Sequence, residues 1–158
     1  MQPRGRIVVG VDGSAPARAA VRWAARLARR TGGPLEAVAV WDFPCLFGEH
    51  GLVPPALDGF EPERRAAEIL DEAAADCGLR LDCGLRMDCG LRLDRRLKAG
   101  PPGPALVVAA AGAALLVLGN RGHSTPPDAP LGTVAQYCLH HAPCPVAVVR
   151  ADGARTGP

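Results

Sequence analysis

Apolar runs alternate with amphipathic stretches along this chain of 158 residues. Residues 7–11 form a short apolar run that ends in a turn sequence, which predicts a buried parallel strand. Ser14 can cap a helix, and apolar residues then recur at helical spacing until the turn at Gly32. Residues 35–41 supply a second apolar strand. The start of the chain therefore predicts one right-handed βαβ unit.

Strands and helices continue to alternate further along the chain. Residues 42–60 are rich in proline and glycine and lack periodicity, which predicts a long loop. After this loop, the expected elements are a helix from Pro62 to near Asp76, a third strand through Leu91, Leu93 and Leu97, a helix after Pro104, a fourth strand at 114–118, a helix from Thr133 and a last strand at 146–150.

This alternation predicts the fold class. We expect a single α/β domain over residues 1–158, an open doubly wound sheet of five parallel strands in the order 3-2-1-4-5 with helices on both faces. Ligands of such sheets bind outside the carboxyl ends of the strands where the strand order reverses. The loops after the first and fourth strands should therefore be neighbours. Residues 151–158 are expected to be a flexible tail.

An internal repeat interrupts the pattern. Residues 76–93 are three near-identical copies of Asp-Cys-Gly-Leu-Arg-(Leu/Met). Asp76 also ends the preceding predicted helix, so we assign residues 77–93 to the repeat expansion within the domain. Eighteen extended residues would span about 60 Å, so only one copy can be a strand of this sheet. We predict that the last copy is the third strand, continuing to Leu97, and that the other two form a hairpin or protruding loop.

The repeat also contains three of the six cysteines, Cys77, Cys83 and Cys89. A metal site is one interpretation, but zinc ligands usually come as close pairs such as C-x2-C with a second pair or histidines elsewhere. Tandem expansion of a structural hexapeptide is the interpretation that we favour, and we predict no metal site.

Composition excludes several classes of partner. The net charge is only +2, the basic residues are scattered among acidic ones, and aromatic residues make up 4%, so we expect no nucleic-acid surface. No apolar stretch approaches the roughly 20 residues of a membrane span, so we expect no membrane association. The first residues show no signal-peptide leader, which predicts a cytoplasmic protein with reduced thiols.

Two glycine-containing segments carry the candidate chemistry. Gly119-Asn120-Arg121-Gly122 follows the predicted fourth strand, and Gly132-Thr133 opens the next helix after a nine-residue loop. Glycines let the backbone approach a ligand closely, and the N–H groups and positive end of a helix start favour an anion. A phosphate or nucleotide site is one interpretation. The other is that these glycines only make two tight turns.

The spacing Gly119-x2-Gly122-x9-Gly132-Thr133 resembles the G-2x-G-9x-G-(S/T) signature of ATP-binding universal stress proteins. The resemblance extends to residues 7–14 and to residues 140–150. It covers essentially the whole chain apart from the repeat and the loop at 42–60.

The resemblance implies that the chain binds ATP or a related adenine nucleotide, with or without a magnesium ion. Asp12 would lie near the ribose or phosphates, although an acid at this position could also simply cap the following turn. The backbone around Val40 would contact adenine, and Arg121 could reach a phosphate. The candidate cofactor-binding residues are Val11, Asp12, Val40, Gly119, Asn120, Arg121, Gly122, Gly132, Thr133, Val134 and Ala135. The resemblance also implies a homodimer, formed through the edge strand Val146-Arg150.

The segment between the glycines departs from the family. Three prolines, Pro126, Pro127 and Pro130, remove N–H donors from a loop that is often glycine-rich in this family. We interpret His123, His140 and His141, three of the four histidines, as surface residues, and we predict no catalytic residue.

The expected function is that of a nucleotide-responsive regulator of the stress response. The chain has no G-x4-G-K-(S/T) motif, and its sole lysine, Lys98, lies outside the glycine segments, so we expect weak ATP hydrolysis at most. The alternatives are a nucleotide-free dimeric adaptor of the same fold and a weak ATPase.

Overall fold

The computed structural model describes residues 5–42, 46–48, 51–53, 61–78, 90–123 and 125–151. The helices and strands within these ranges are β1 (Ile7–Val11), α1 (Ala15–Thr31), β2 (Leu35–Trp41), β3 (Leu46–Gly48), β4 (Gly51–Val53), α2 (Pro62–Asp76), β5 (Leu93–Ala99), α3 (Pro102–Ala109), β6 (Leu115–Gly119), α4 (Thr133–His141) and β7 (Val146–Val149).

Five parallel strands form the main sheet in the order β5-β2-β1-β6-β7. This order confirms the predicted 3-2-1-4-5 arrangement. Strands β2 and β5 extend the sheet in one direction from β1, and β6 and β7 extend it in the other, so the strand order reverses between β1 and β6. The central strand β1 is buried along its whole length because helices cover both faces. Val9 packs with α1 and α2 on one face, while Val8 packs with α3 and α4 on the other.

Helix α1 shows how local sequence sets an element's bounds. The Ser14 hydroxyl accepts a hydrogen bond from the N–H of Ala17 at 3.3 Å, and Gly32 ends the helix in the left-handed conformation with φ 68°. Such an N-terminal cap stabilises a helix by about 1 kcal/mol. The bounds of α1 and of β1 and β2 agree with the sequence prediction.

Helix α3 begins at Pro102, whereas the sequence predicted a helix after Pro104. The prediction was wrong because it placed the prolines before the helix and not in its first turn. The first N–H groups of a helix have no partner within it, so prolines fit there at no cost in hydrogen bonds. The N–H of Ala105 then donates to the carbonyl of Pro101 at 3.1 Å.

Two strands differ slightly from their predicted bounds. Strand β6 runs one residue later than predicted, so Gly119 is its last residue and lies opposite Val149 of β7. Strand β7 ends at Val149, and Arg150 lies outside it. Gly119 is therefore held in the sheet, directly before the loop that follows.

The prediction of an unstructured loop at 42–60 was wrong in part. Strands β3 and β4 pair antiparallel, with Leu46 opposite Val53 and Phe47 opposite Leu52. Three-residue strands are too short to show a period in the sequence, which explains the miss. The remainder of that segment lies outside the described residues.

The repeat meets the sheet later than predicted. Strand β5 starts at Leu93, the last residue of the third copy, and Leu91 lies before it. The predicted hairpin and the thiols of Cys83 and Cys89 lie outside the described residues, as does the tail at 152–158. Cys77 is buried in the core at the end of α2. No cluster of three potential metal ligands occurs among the residues that the structure describes.

A buried carboxylate in β2 is paired with two arginines from other segments. Glu36 of β2 is 2% exposed and pairs with Arg6 at 2.7 Å and with Arg96 of β5 at 3.4 Å. A buried charge is costly unless it is paired, so these arginines are required where the carboxylate lies.

In the part of the chain that the structure describes, no helix has both the length and the apolar character needed to cross a membrane.

Candidate functional site

A cavity of about 430 Å³ opens where the strand order reverses, between the loops that follow β1 and β6. The structure brings all the predicted site residues together around it: Val11, Asp12, Val40, Gly119, Asn120, Arg121, Gly122, Gly132, Thr133, Val134 and Ala135. Sequence reasoning missed the other lining residues, namely Gly10, Ala17, Val38, Pro102, Leu106, Leu118, His123 and Thr125.

The start of α4 forms one end of the cavity. Its cap residue, Gly132, has no side chain to accept a hydrogen bond from the first turn. Among the described residues, no group accepts a hydrogen bond from the N–H of Thr133, Val134 or Ala135. Free N–H groups and the positive end of the helix dipole make this end a favourable place for an anion.

Two of the signature glycines lie where a side chain would contact a neighbouring residue closely. An ideal Cβ on Gly122 would lie 2.6 Å from Oδ2 of Asp12, and one on Gly132 would lie 2.8 Å from Oγ1 of Thr125. Neither glycine has a positive φ, so a side chain at either position would require the neighbouring Asp12 or Thr125 side chain to shift and would not strain the backbone. The Gly122 N–H donates to the same Thr125 hydroxyl at 3.2 Å, which folds the loop over the cavity.

Gly119 and Asn120 hold the β6–α4 loop in place. A Cβ on Gly119 would lie 2.7 Å from the backbone N of Ala17, so glycine lets β6 contact the start of α1. Asn120 is buried, and its carbonyl accepts from the N–H of Gly132 at 2.7 Å. Its side-chain amide donates to the Pro130 carbonyl at 3.4 Å. Asn120 thus shapes the loop from within.

Asp12 shows both features that the sequence left open. Its Oδ1 accepts a hydrogen bond from the N–H of Ser14 at 2.9 Å, which is the turn-capping role. Its other oxygen, Oδ2, lies close to Gly122, and Asp12 lines the cavity. The carboxylate therefore lies where the two loops that enclose the site approach each other.

The other end of the cavity is apolar. Its walls are formed by the side chains of Val38, Val40, Pro102, Leu106 and Leu118. The Trp41 carbonyl accepts from Gly100 on the β5 side, so by strand alternation the Val40 carbonyl points to the β1 side. Strand β1 has already ended there, since its last residue, Val11, lies opposite Ala39. An apolar slot with a backbone acceptor at its edge suits a flat heterocyclic ring.

Among the described residues that line the cavity, those with ionisable side chains are Asp12, Arg121 and His123. The Arg121 guanidinium donates to the carbonyl of Pro127 within its own loop. Nε2 of His123 lies 3.0 Å from the backbone carbonyl of Asp12, in the opposite loop. The three histidines are exposed, as predicted, but His123 also forms part of the cavity wall.

Known proteins resemble this chain along most of its length. A sequence model of the universal stress protein family matches residues 3–150. A universal stress protein of Mycobacterium tuberculosis is 32% identical over 155 residues, which is 90% of this chain and 46% of the relative. One from Mycolicibacterium smegmatis is 32% identical over 148 residues, 92% of this chain and 48% of the relative. The chain thus spans about half the length of these curated relatives.

Solved structures show the same architecture. Universal stress protein UspA from Lactobacillus plantarum is 28% identical, with a TM-score of 0.67 over 95% of this chain and 100% of its own. A universal stress protein in complex with cAMP is 25% identical, with a TM-score of 0.65 over 94% of this chain and 98% of its own. Sequence and fold agree, and the chain belongs to the universal stress protein family.

Proposed function

We propose that this chain binds an adenine nucleotide, ATP or a close relative with or without a magnesium ion, and acts as a nucleotide-responsive, cytoplasmic regulator of the stress response. One observation carries the proposal: the uncapped start of α4 and the apolar residues beside Val40 line a single cavity. Its volume of about 430 Å³ falls in the usual range of small-molecule sites. The relative solved with cAMP supports the same ligand class.

In this proposal the two ends of the nucleotide use different chemistry. Adenine lies against Val40 and Leu106, and its exocyclic amine donates to the Val40 carbonyl. The ribose lies beside Asp12. The phosphates accept hydrogen bonds from the N–H groups at the start of α4, with the Thr133 hydroxyl as a further donor.

Calorimetric titration with ATP tests the proposal on the unmodified chain and on Gly122→Trp. The indole would fill the space beside Asp12, so we expect the heat of binding to disappear. Val108→Trp is the size-matched control because Val108 is 69% exposed and does not line the cavity. The control should bind as the unmodified chain does.

Circular dichroism and thermal unfolding must show that Gly122→Trp remains folded. Mass spectrometry of nucleotide co-purified with the unmodified chain gives an independent measurement. Equal heats from the unmodified chain and Gly122→Trp would contradict the proposal. No heat from the unmodified chain would favour the alternative of a nucleotide-free adaptor, and ADP released on incubation with ATP would favour a weak ATPase.

We also propose that the chain forms a homodimer through β7. This strand pairs with β6 on one side only, so its other edge leaves backbone N–H and C=O groups available among the described residues. Its sequence, Val-Ala-Val-Val, is uncharged. The opposite edge strand, β5, carries Arg95, Arg96 and Lys98 and so disfavours edge-to-edge pairing.

Size-exclusion chromatography with light scattering tests the dimer. Val148→Lys places a charge in the middle of the β7 edge and should give a monomer. Ala99→Lys makes the same type of change at the β5 edge and should leave the dimer intact. A monomeric unmodified chain, or a dimer that persists in Val148→Lys but not in Ala99→Lys, would contradict the assignment.

A further inference from the structure

Among the described residues that line the cavity, His123 is the one histidine, the residue type that changes charge near neutral pH, and the proposed function gives it no role. It follows Gly122 directly and contacts the loop after β1 across the cavity mouth. Because a carbonyl oxygen can only accept, the contact with Asp12 requires a hydrogen on Nε2 of His123. Nδ1 is therefore the atom that gains or loses a proton.

The proton on Nδ1 of His123 changes the net charge of the cavity lining. Asp12 and Arg121 also line the cavity, but the Arg121 guanidinium donates to the carbonyl of Pro127, a residue that lines a neighbouring hollow. Protonation of His123 would add one positive charge to the lining. No lysine lines the cavity, and the first turn of α4 and the whole of α3 carry no charged residue.

The remaining charged groups near this loop are already engaged or directed elsewhere. Arg65 of α2 approaches Gly13 but pairs with Glu68 and Glu72. Asp128 of the same loop lines the neighbouring hollow together with Arg121 and Arg150. Within the part of the chain that the structure describes, the protonation of His123 therefore sets the charge that a phosphate meets at the cavity mouth.

We propose that His123 is a specificity-determining residue that makes the affinity for nucleotide phosphates depend on pH. The inference rests on the proposed nucleotide binding. As an imidazolium, His123 attracts the phosphates, and their charge in turn favours its protonation. Affinity should fall as the pH rises and the imidazolium loses its proton. Nucleotide binding should therefore take up protons from the solution.

Calorimetric titrations with ATP between about pH 5.5 and 8.5 test this inference on the unmodified chain, His123→Gln and His123→Arg. Gln keeps a donor for the Asp12 carbonyl but does not titrate, and Arg stays charged. We expect the affinity of the unmodified chain to fall about tenfold more across this range than that of His123→Gln. His123→Arg should bind tightly throughout. The titration of ATP itself is common to all three proteins.

Two further measurements separate the charge from a structural effect. Heats recorded in buffers of different ionisation enthalpy should show greater proton uptake by the unmodified chain than by His123→Gln. Adenosine, which carries no phosphate, should bind with an affinity that is equal in both proteins at every pH.

The outcomes distinguish this inference from the proposed function. Superimposable pH profiles and equal proton uptake in the unmodified chain and His123→Gln would overturn the role of His123 and leave nucleotide binding intact. No binding of ATP by the unmodified chain at any pH would overturn the proposed function, and this inference with it.

Discussion

Helices α1 and α4 both begin at the reversal point of the sheet, yet their first turns differ. In α1, the Ser14 hydroxyl accepts from the Ala17 N–H, and Pro16 has no N–H to offer. In α4, the cap position is Gly132, and the following N–H groups have no partner among the described residues. Both helix ends carry the same dipole. The side chain at the cap decides which end is closed and which can bind an anion.

The two helix starts differ in what they contribute to the stability of the free protein. A capped helix start stabilises the fold by about 1 kcal/mol, and an open one forgoes that stabilisation in the free protein. The open start regains it when an anion binds. The fold therefore places two equivalent helix ends at one cavity, and Gly132 keeps one of them available.

Closing the start of α4 should have the largest effect. Gly132→Asp places a carboxylate where it can cap the helix and repel phosphate, so we expect ATP affinity to fall about 100-fold. Gly132→Asn is the matched control, since it has the same shape and approaches Thr125 in the same way. Its loss should be clearly smaller. If calorimetry gives equal affinities for the two variants, charge at the start of α4 does not control phosphate binding.

The inner faces of the two helices also differ. The buried face of α1 consists of alanines and one valine, whereas α4 buries Cys138. Burial raises the pKa of Cys138 to about 11 from an ordinary value of about 8.5. Because the raised pKa favours the neutral thiol in the folded state, its stabilising contribution is present below about pH 8.5 and is lost as the pH rises toward 11.

Denaturant unfolding between about pH 7.5 and 10.5 measures this loss. We expect the free energy of unfolding to fall by about 2 kcal/mol more in the unmodified chain than in Cys138→Ala across that range. The comparison with the variant cancels the titration of the other groups, including Cys144, whose pKa burial also raises. Parallel pH dependences would show that Cys138 ionises without cost.

Opening the start of α1 should have the smallest effect. Ser14→Ala removes the cap, and we expect the free energy of unfolding to fall by about 1 kcal/mol while ATP affinity changes less than about twofold. Ser14→Gly should cost less, since glycine lets water reach the freed N–H. Urea denaturation and calorimetry check both effects. A gain in ATP affinity in Ser14→Ala would mean that α1 also binds phosphate.

Much of the fold could be predicted because its signals are local. Ser14 lies three residues from Ala17, and the run at 7–11 lies between turn residues, so a short window contains each signal. The start of α3 and the pairing of β3 with β4 were missed. Prolines at a helix start and three-residue strands give no distinctive pattern.

The candidate site could be located from the sequence, but the contacts of its charged residues could not be predicted. Asp12 and His123 are 111 residues apart, and Glu36 pairs with Arg6, which is 30 residues away along the chain. Nothing in the sequence near His123 indicates that its ring contacts the loop after β1. Such contacts depend on how closely two loops approach after the sheet has formed.

The sequence by itself determined the alternation of strands and helices, the order of the sheet and the position of a glycine site where that order reverses. These follow from residue periodicity, turn chemistry and glycine spacing, which act over a few residues. Only the tertiary structure decided that Asp12 faces Gly122, that α4 starts uncapped toward an apolar slot and that His123 joins the cavity wall. These depend on distances of a few ångströms between distant segments, and packing sets those distances.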